Sequence, residues 1–310
     1  MLVKAHNLIK RYNGKLAVDN VNLEIAAGEI FGFLGPNGAG KSTTINMLCG
    51  LLRADQGTVE IDGIDLHRNP LEVKRRLGLV PQEIAVFDTL SAAENVEFFA
   101  KLAGLRGQTL EERVEEALAF VGLAKHRKEP PKSFSGGMKR RLNIACAIAH
   151  HPKLIIMDEP TVGIDPQSRN HILESVRELN KMGSTILYTS HYMEEVEAVC
   201  NRLAIIDHGR LIAQGTKEEL KQLVGEEEKI LIEIVDCNHN PVQEIRQVNG
   251  VRGVDLAGNT LTVVTPNSQT VMQDVLFILS RHNVRVRGIK LVEPDLETVF
   301  LSLTGRNLRD

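Results

Sequence analysis

Eight consecutive residues, Gly35-Pro36-Asn37-Gly38-Ala39-Gly40-Lys41-Ser42, fit the pattern G-x-x-x-x-G-K-[ST] in full. Glycines in such a run let the backbone curl until successive N–H groups point at a single anion. A helix opening at Lys41 adds the partial positive charge of its N-terminus. The chemistry is that of a nucleoside triphosphate site. Lys41 is expected to reach the β- and γ-phosphates and Ser42 to hold Mg²⁺. Thr43, in the same turn, is grouped with the loop as nucleotide-binding.

A second constellation is Leu154-Ile155-Ile156-Met157-Asp158-Glu159, an apolar strand ending in two carboxylates. Ligands of open α/β folds sit at the carboxyl ends of the strands. Asp158 is therefore placed to bind Mg²⁺, through water, and Glu159 to polarise an attacking water. Phosphoryl transfer needs mainly positioning and charge neutralisation, so one metal, one lysine and one oriented water suffice. A third is Phe134-Ser135-Gly136-Gly137-Met138. Ser135 is a good N-cap, the glycines permit close backbone approach, and the helix that follows exposes an anion-binding N-terminus.

These residues need elements to carry them. The apolar segment 29–34 reads as a buried strand feeding the glycine loop, and 154–157, 185–189 and 203–207 as further short strands with helices between. That alternation predicts a parallel α/β sheet. Residues 2–25 read as two strands about a turn at Asn13-Gly14, with Val21, Leu23 and Ile25 alternating. Residues 58–61 and 77–80 are strands and 71–76 a helix. Apolar residues at i, i+3, i+4 spacing (Val96, Phe99, Ala100; Val114, Ala117, Leu118, Val121) make 91–149 a mostly helical insert. The composition shifts near Gly225-Glu226-Glu227-Glu228, where a domain boundary is placed. Domains of 1–224, with a helical part at about 83–149, and of 225–310 are expected. The second reads strand 230–235, helix 241–248, strand 251–256, strand 260–264, helix 268–282, strand 284–289. This β-α-β-β-α-β order predicts a small α+β, ferredoxin-like unit. A last helix follows Pro294, with Leu296, Val299, Phe300 and Leu303 on one face.

Bulk properties narrow the classes. The 310 residues carry 37 Lys+Arg against 40 Asp+Glu, without the basic field of a general nucleic-acid binder. The clusters Lys139-Arg140-Arg141 and Lys74-Arg75-Arg76 read as solvated helix faces. No run approaches the roughly 18–20 apolar residues that span a bilayer, and the first ten residues lack the apolar core of a signal peptide. Cys49, Cys146, Cys200 and Cys237 are scattered and suggest neither a zinc site nor a disulfide framework.

The ordered set of residues 35–42, Gln82, Ser135-Gly136-Gly137, Asp158-Glu159, Asp165 and His191 resembles the nucleotide-binding subunit of ABC transporters over about the first 220 residues. The resemblance implies a P-loop ABC cassette with a parallel-sheet core, an antiparallel β subdomain and a helical subdomain. By it Tyr12 looks like the aromatic that stacks on adenine, and Gln82 like the glutamine that senses Mg²⁺ and the permease. Ser135 and Gly137 look like the signature that meets the γ-phosphate held by a second copy. Asp165 resembles the aspartate of the D-loop, and His191 the switch histidine on the γ-phosphate. Phe134 and Met138 depart from the commonest signature, Leu and Gln, and methionine cannot make the hydrogen bonds of glutamine. The segment Thr161-Val162-Gly163-Ile164-Asp165-Pro166, the signature and the C-terminal domain resemble the daunorubicin-resistance exporter branch. The expected ligands are ATP and Mg²⁺. The expected partners are a second cassette, as a homodimer, and a separate transmembrane permease. The chain is expected to be cytoplasmic, peripheral on the inner membrane face through that permease, with neither nucleic acid nor direct membrane insertion. The rival is a soluble ABC ATPase acting on ribosomes or DNA. Against it, the chain has one cassette and no long coiled-coil or zinc insertion. The second domain, without a clustered polar site, reads as a dimerisation or docking surface, with a site for a small-molecule regulator as the alternative.

Overall fold

The structure, a computed structural model, describes residues 1–223, 228–235, 241–292 and 295–305. They form two compact units, Met1–Lys217 and Glu218–Gly305. The boundary expected at 225–228 lies almost wholly outside the described residues, as do Cys237 and Pro294.

In the first unit, β1 (Val3–Tyr12) and β2 (Lys15–Ile25) form a hairpin, followed by β3 (Ile30–Leu34) and α1 (Lys41–Leu48). Next come β4 (Gln56–Ile61), β5 (Ile64–Asp65), α2 (Pro70–Lys74) and β6 (Leu77–Val80). The helical part is α3 (Ala92–Leu102), α4 (Gly107–Phe120) and α5 (Gly136–Ile148). The chain returns to the sheet with β7 (Leu154–Met157), α6 (Pro166–Lys181), β8 (Thr185–Tyr188), α7 (Met193–Val199), β9 (Arg202–Asp207) and β10 (Arg210–Thr216).

The main sheet has the order β10-β9-β3-β8-β7-β6. The five strands from β9 to β6 are parallel and only β10 runs antiparallel. Strands β3, β7 and β8 are buried throughout, which is why each reads as a short uninterrupted apolar run. Parallel direction has a functional consequence. The segments after β6, β7, β8 and β3 all leave from one edge, so Gln82, Asp158-Glu159, His191 and the glycine loop emerge side by side. The antiparallel sheet β2-β1-β4-β5 shares its core with the main sheet, where Val3, Leu23 and Ile61 join Phe31, Ile156 and Ala204. Strand β10 carries little signal in the sequence because an edge strand needs apolar residues on one face only: Leu211 and Ala213 alternate with exposed positions.

In the helical part, Ser91 and Glu94 form a reciprocal capping box at the start of α3. Asn95, fully buried, donates to the carbonyls of Phe87, Leu90 and Ser91 and accepts from the Phe87 N–H at 2.7 Å. One amide thus satisfies a turn of backbone after Gln82 that has no strand or helix partner.

The second unit holds α8 (Lys217–Leu223) from Glu218 onward, β11 (Glu228–Ile234), α9 (Val242–Ile245), β12 (Gly253–Ala257), β13 (Thr260–Thr265), α10 (Ser268–Arg281), β14 (Val286–Val292) and α11 (Leu296–Thr304). Its sheet is antiparallel, in the order β12-β13-β11-β14. Ile230, Ile232, Leu261 and Val263 turn inward against Ile245, Val275 and Leu279. This is the ferredoxin-like arrangement that the element order predicted. Asp295 caps α11, accepting from Thr298 N–H at 2.8 Å.

Candidate functional site

The loop of residues 35–40 is shaped by packing as much as by its own flexibility. A Cβ at Gly35 would clash with the Ile206 carbonyl oxygen on β9, and one at Gly40 (φ 106°) would lie 2.5 Å from the Ala17 carbonyl oxygen on β2. At Gly38 the space is open but φ is 76°, a conformation that L side chains rarely adopt. The loop passes into α1, where Ser42 is exposed and Thr43 half-buried. Lys41 is 7% exposed. Its Nζ donates to the carbonyls of Gly35 and, at 3.1 Å, Pro36. Burial lowers its pKa from the ordinary lysine value, and the charges of Glu159 and Asp158 oppose that shift.

Across the strand edge, Thr189, immediately after β8, organises both acids. Its hydroxyl donates to Asp158 Oδ1 at 2.7 Å and accepts from the Glu159 N–H at 2.8 Å. Burial pushes the Asp158 carboxyl above the usual carboxylate range. The Thr189 hydrogen bond opposes this, the charge of Glu159 adds to it, and Lys41 and His191 oppose it. Glu159 is 5% exposed and held at φ 48°, a left-handed conformation that costs of order 1–3 kcal/mol in a non-glycine residue. Its Oε1 lies 2.5 Å from His191 Nε2, while its Oε2 is buried without a hydrogen-bond partner. A strained, desolvated carboxylate with one oxygen fixed and the other able to accept is suited to hold a water by its proton.

A second cluster lies at the signature. Ser135 caps α5, accepting from Met138 N–H at 3.3 Å. Gly136 is exposed with nothing within 4 Å of an added Cβ. Gly137 is packed: a Cβ there would overlap Ser168 Oγ, sit 2.7 Å from Ser168 Cβ and 3.4 Å from Asp165 Oδ2. Asp165 in turn caps α6, accepting from Ser168 N–H at 2.9 Å, and this hydrogen bond holds its carboxyl below the usual range. The structure thus gathers Lys41, Asp158, Glu159 and His191 into one cluster and Ser135, Gly136, Gly137 and Asp165 into another. Tyr12 stands at the β1–β2 hairpin, 49% exposed. The Gln82 side chain is exposed.

One expectation fails. Arg140 and Arg141 are not on a solvated helix face. Arg140 is 2% exposed and donates through Nη1 to Pro81 O at 2.6 Å and through Nη2 to Gln82 O at 2.5 Å. Arg141 donates to Val121 O at 2.9 Å. Burial pulls the Arg140 guanidinium pKa down, with Asp158 opposing. Charge count cannot separate a basic run that faces water from one that ties two segments together; three residues in a row on a helix cannot share one face, and that was the available signal. Thr189 was also missed, though a hydroxyl next to Ser190-His191 at a strand end was visible.

With this geometry established, the relatives are informative. The sequence matches the ABC transporter family over residues 18–162, and residues 215–304 match the C-terminal domain of DrrA1-3-like ATP-binding proteins. It is 44% identical to the linearmycin resistance ATP-binding protein LnrL of Bacillus subtilis (strain 168), over the full length of both chains. The chain belongs to the ATP-binding proteins of the ABC transporter family. It is 39% identical to the daunorubicin/doxorubicin resistance ATP-binding protein DrrA of Streptomyces peucetius, covering 99% of this chain and 94% of that one. Among solved structures it resembles an ATP-binding subunit of an ABC transporter, with a TM-score of 0.67 at 30% identity, over 72% of this chain and 93% of that one. It also resembles the dimeric cassette MJ0796 in a post-hydrolysis state bound to ADP and Pi, with a TM-score of 0.64 at 28% identity, over 69% and 98%. This ABC protein is therefore an ATP-binding, ATP-hydrolysing transporter subunit. The loop fits ATP on its own terms: Gly35 and Gly40 leave no room for a Cβ, Gly38 is open but at positive φ, and the buried Lys41 ammonium makes the cradle cationic.

Proposed function

We propose that this ABC ATPase is the motor of an ABC-2 type exporter of drugs or other hydrophobic compounds. It works as a homodimer of cassettes attached to a separate membrane permease. The observation that supports the ATPase part of this reading is Glu159: a desolvated carboxylate with Oε1 against His191 and Oε2 unpartnered, beside a P-loop lysine.

On this reading each residue has a role. Residues 35–40 and the start of α1, with Ser42 and Thr43, hold the phosphates by backbone N–H groups, and Lys41 moves from the loop carbonyls to the β- and γ-phosphates. Tyr12 stacks on the adenine. Glu159 takes the proton of the attacking water at Oε2, and His191 fixes the carboxylate and faces the γ-phosphate. Ser42, Asp158 and Gln82 offer only oxygen donors, the set a hard cation such as Mg²⁺ prefers. Bound there, Mg²⁺ would neutralise charge on the β- and γ-phosphates. Ser135, Gly136 and Gly137 present a helix N-terminus to the nucleotide held by a second copy, with Asp165 alongside.

Support for export comes from the resistance proteins named above and from the 38% identical Nod factor export ATP-binding protein I of Sinorhizobium fredii, which covers 99% of this chain and 87% of that one. Among the described residues, no helix is long and apolar enough to cross a membrane, and on this reading a separate permease supplies the path. The exposed segment after Gln82, where Phe87 and Phe98 meet edge to face at 5.0 Å, is the docking surface for that permease. Residues 225–310 form an accessory domain for dimerisation or docking. The test is Glu159→Gln: ATP turnover should fall by roughly 10²–10⁴-fold with ATP affinity retained. Turnover near wild type, with the permease present, would remove Glu159 from the mechanism.

A further inference from the structure

Glu195, on α7, belongs to none of the motifs above, yet it is 2% exposed. Its Oε2 accepts three hydroxyls: Thr161 Oγ1 at 2.8 Å, Tyr188 OH at 2.9 Å and Ser190 Oγ at 2.7 Å. Arg169 Nε on α6 stands 3.4 Å from its other oxygen, and the Arg169 guanidinium lies 4.2 Å over the Tyr192 ring. Ser190 Oγ also accepts the Tyr192 N–H at 3.0 Å. A buried charge is costly unless bonded, and here one carboxylate gathers three charge-assisted hydrogen bonds and a cation.

The donors come from separate segments. Thr161 lies between Glu159 and Asp165, in the loop that joins β7 to α6. Ser190 immediately precedes His191. Tyr188 is the last residue of β8, whose backbone is already fixed by pairing with β3 and β7. A carboxylate accepts from all of them. A glutamine would either lose the acceptor that the three hydroxyls share or turn its NH₂ toward Arg169, which also donates.

We infer that Glu195 is a positioning residue for ATP hydrolysis, which holds the Glu159–Asp165 loop in register with the His191 loop. The inference rests on the reading of Glu159 and His191 as the hydrolytic pair. Their contact spans two loops, and a misplacement near 1 Å at a reacting centre costs on the order of a hundredfold in rate.

The experiment is steady-state ATP hydrolysis by the full chain, with a thermal midpoint for each variant and rates taken well below it. Glu195→Gln should lower kcat by on the order of tenfold or more while KM for ATP stays within about twofold, since the phosphate loop is untouched. Ser190→Ala and Thr161→Val, which free one loop each, should lower kcat severalfold. Tyr188→Phe removes a hydroxyl from the same carboxylate but frees no loop, so it should lower the midpoint and leave kcat unchanged. If Glu195→Gln does not fold, the contrast between Ser190→Ala and Tyr188→Phe carries the test. The proposal is overturned if Glu195→Gln keeps wild-type kcat, or if kcat follows the midpoint equally in Ser190→Ala and Tyr188→Phe. Glu159→Gln is assayed in parallel. Turnover there would sink the hydrolytic pair itself, a failure distinct from a silent Glu195.

Discussion

The two signature glycines should respond oppositely to the same added methyl group. In Gly137→Ala the new Cβ overlaps Ser168 Oγ and approaches Ser168 Cβ to 2.7 Å. Rotating the serine hydroxyl away cannot relieve the second contact, so α5 or α6 must move. Overpacking of this kind costs about 1–3 kcal/mol, from which the better helix propensity of alanine returns less than about 1 kcal/mol. A net loss of about 1–2 kcal/mol in a unit of this size lowers the thermal midpoint by roughly 2–8 °C. In Gly136→Ala the methyl meets nothing within 4 Å, and the midpoint should stay within about 2 °C of wild type. ATP hydrolysis should nevertheless fall at least about tenfold in Gly136→Ala, because the close backbone approach needed there is to a nucleotide on a second copy. Scanning calorimetry and a coupled ATPase assay on both variants decide the matter. Equal midpoint shifts would refute the packing argument. Full activity in Gly136→Ala would refute the claim that this exposed helix start contacts ATP.

Three further outcomes are expected. Asp158→Asn should raise the thermal midpoint of the nucleotide-free protein at neutral pH while abolishing Mg²⁺-dependent turnover. The folded state raises the Asp158 pKa, so it retains that proton while the unfolded chain releases it. This costs stability as pH rises above the ordinary aspartate range, and the gain from asparagine should shrink toward that range in calorimetric scans. His191→Ala should leave affinity for a non-hydrolysable ATP analogue unchanged and lower kcat by roughly a hundredfold; weakened binding with normal kcat would contradict its role. Phe87→Ser with Phe98→Ser should leave the ATPase of the isolated protein intact and abolish co-purification with its membrane permease. Undiminished recovery of the permease would move the docking surface elsewhere.

Much of the site was legible in the sequence because its chemistry is local. A glycine loop, an apolar strand ending in two acids and a serine-capped helix start each carry their reason within eight residues. The parallel sheet was legible from β3, β7 and β8, which are buried on both faces and so are written as apolar runs. What the sequence withheld was contact between distant segments. Arg140 reads like its basic neighbours, and only the path of residues 81–82 past α5 makes it a buried donor to two carbonyls. Thr189 and Glu195 are unremarkable in a one-dimensional reading, for their worth depends on which loops the sheet brings beside them. The steric need at Gly137 likewise comes from Ser168, thirty-one positions away in sequence.

On the proposed function each chain carries half a site, completed by the signature of another. The most direct measurement is the solution mass of Glu159→Gln by light scattering, with ATP and with ADP. Twice the mass of one chain, with two trapped nucleotides per dimer, is expected in ATP, and a single-chain mass in ADP. A variant that binds ATP yet keeps a single-chain mass would contradict it.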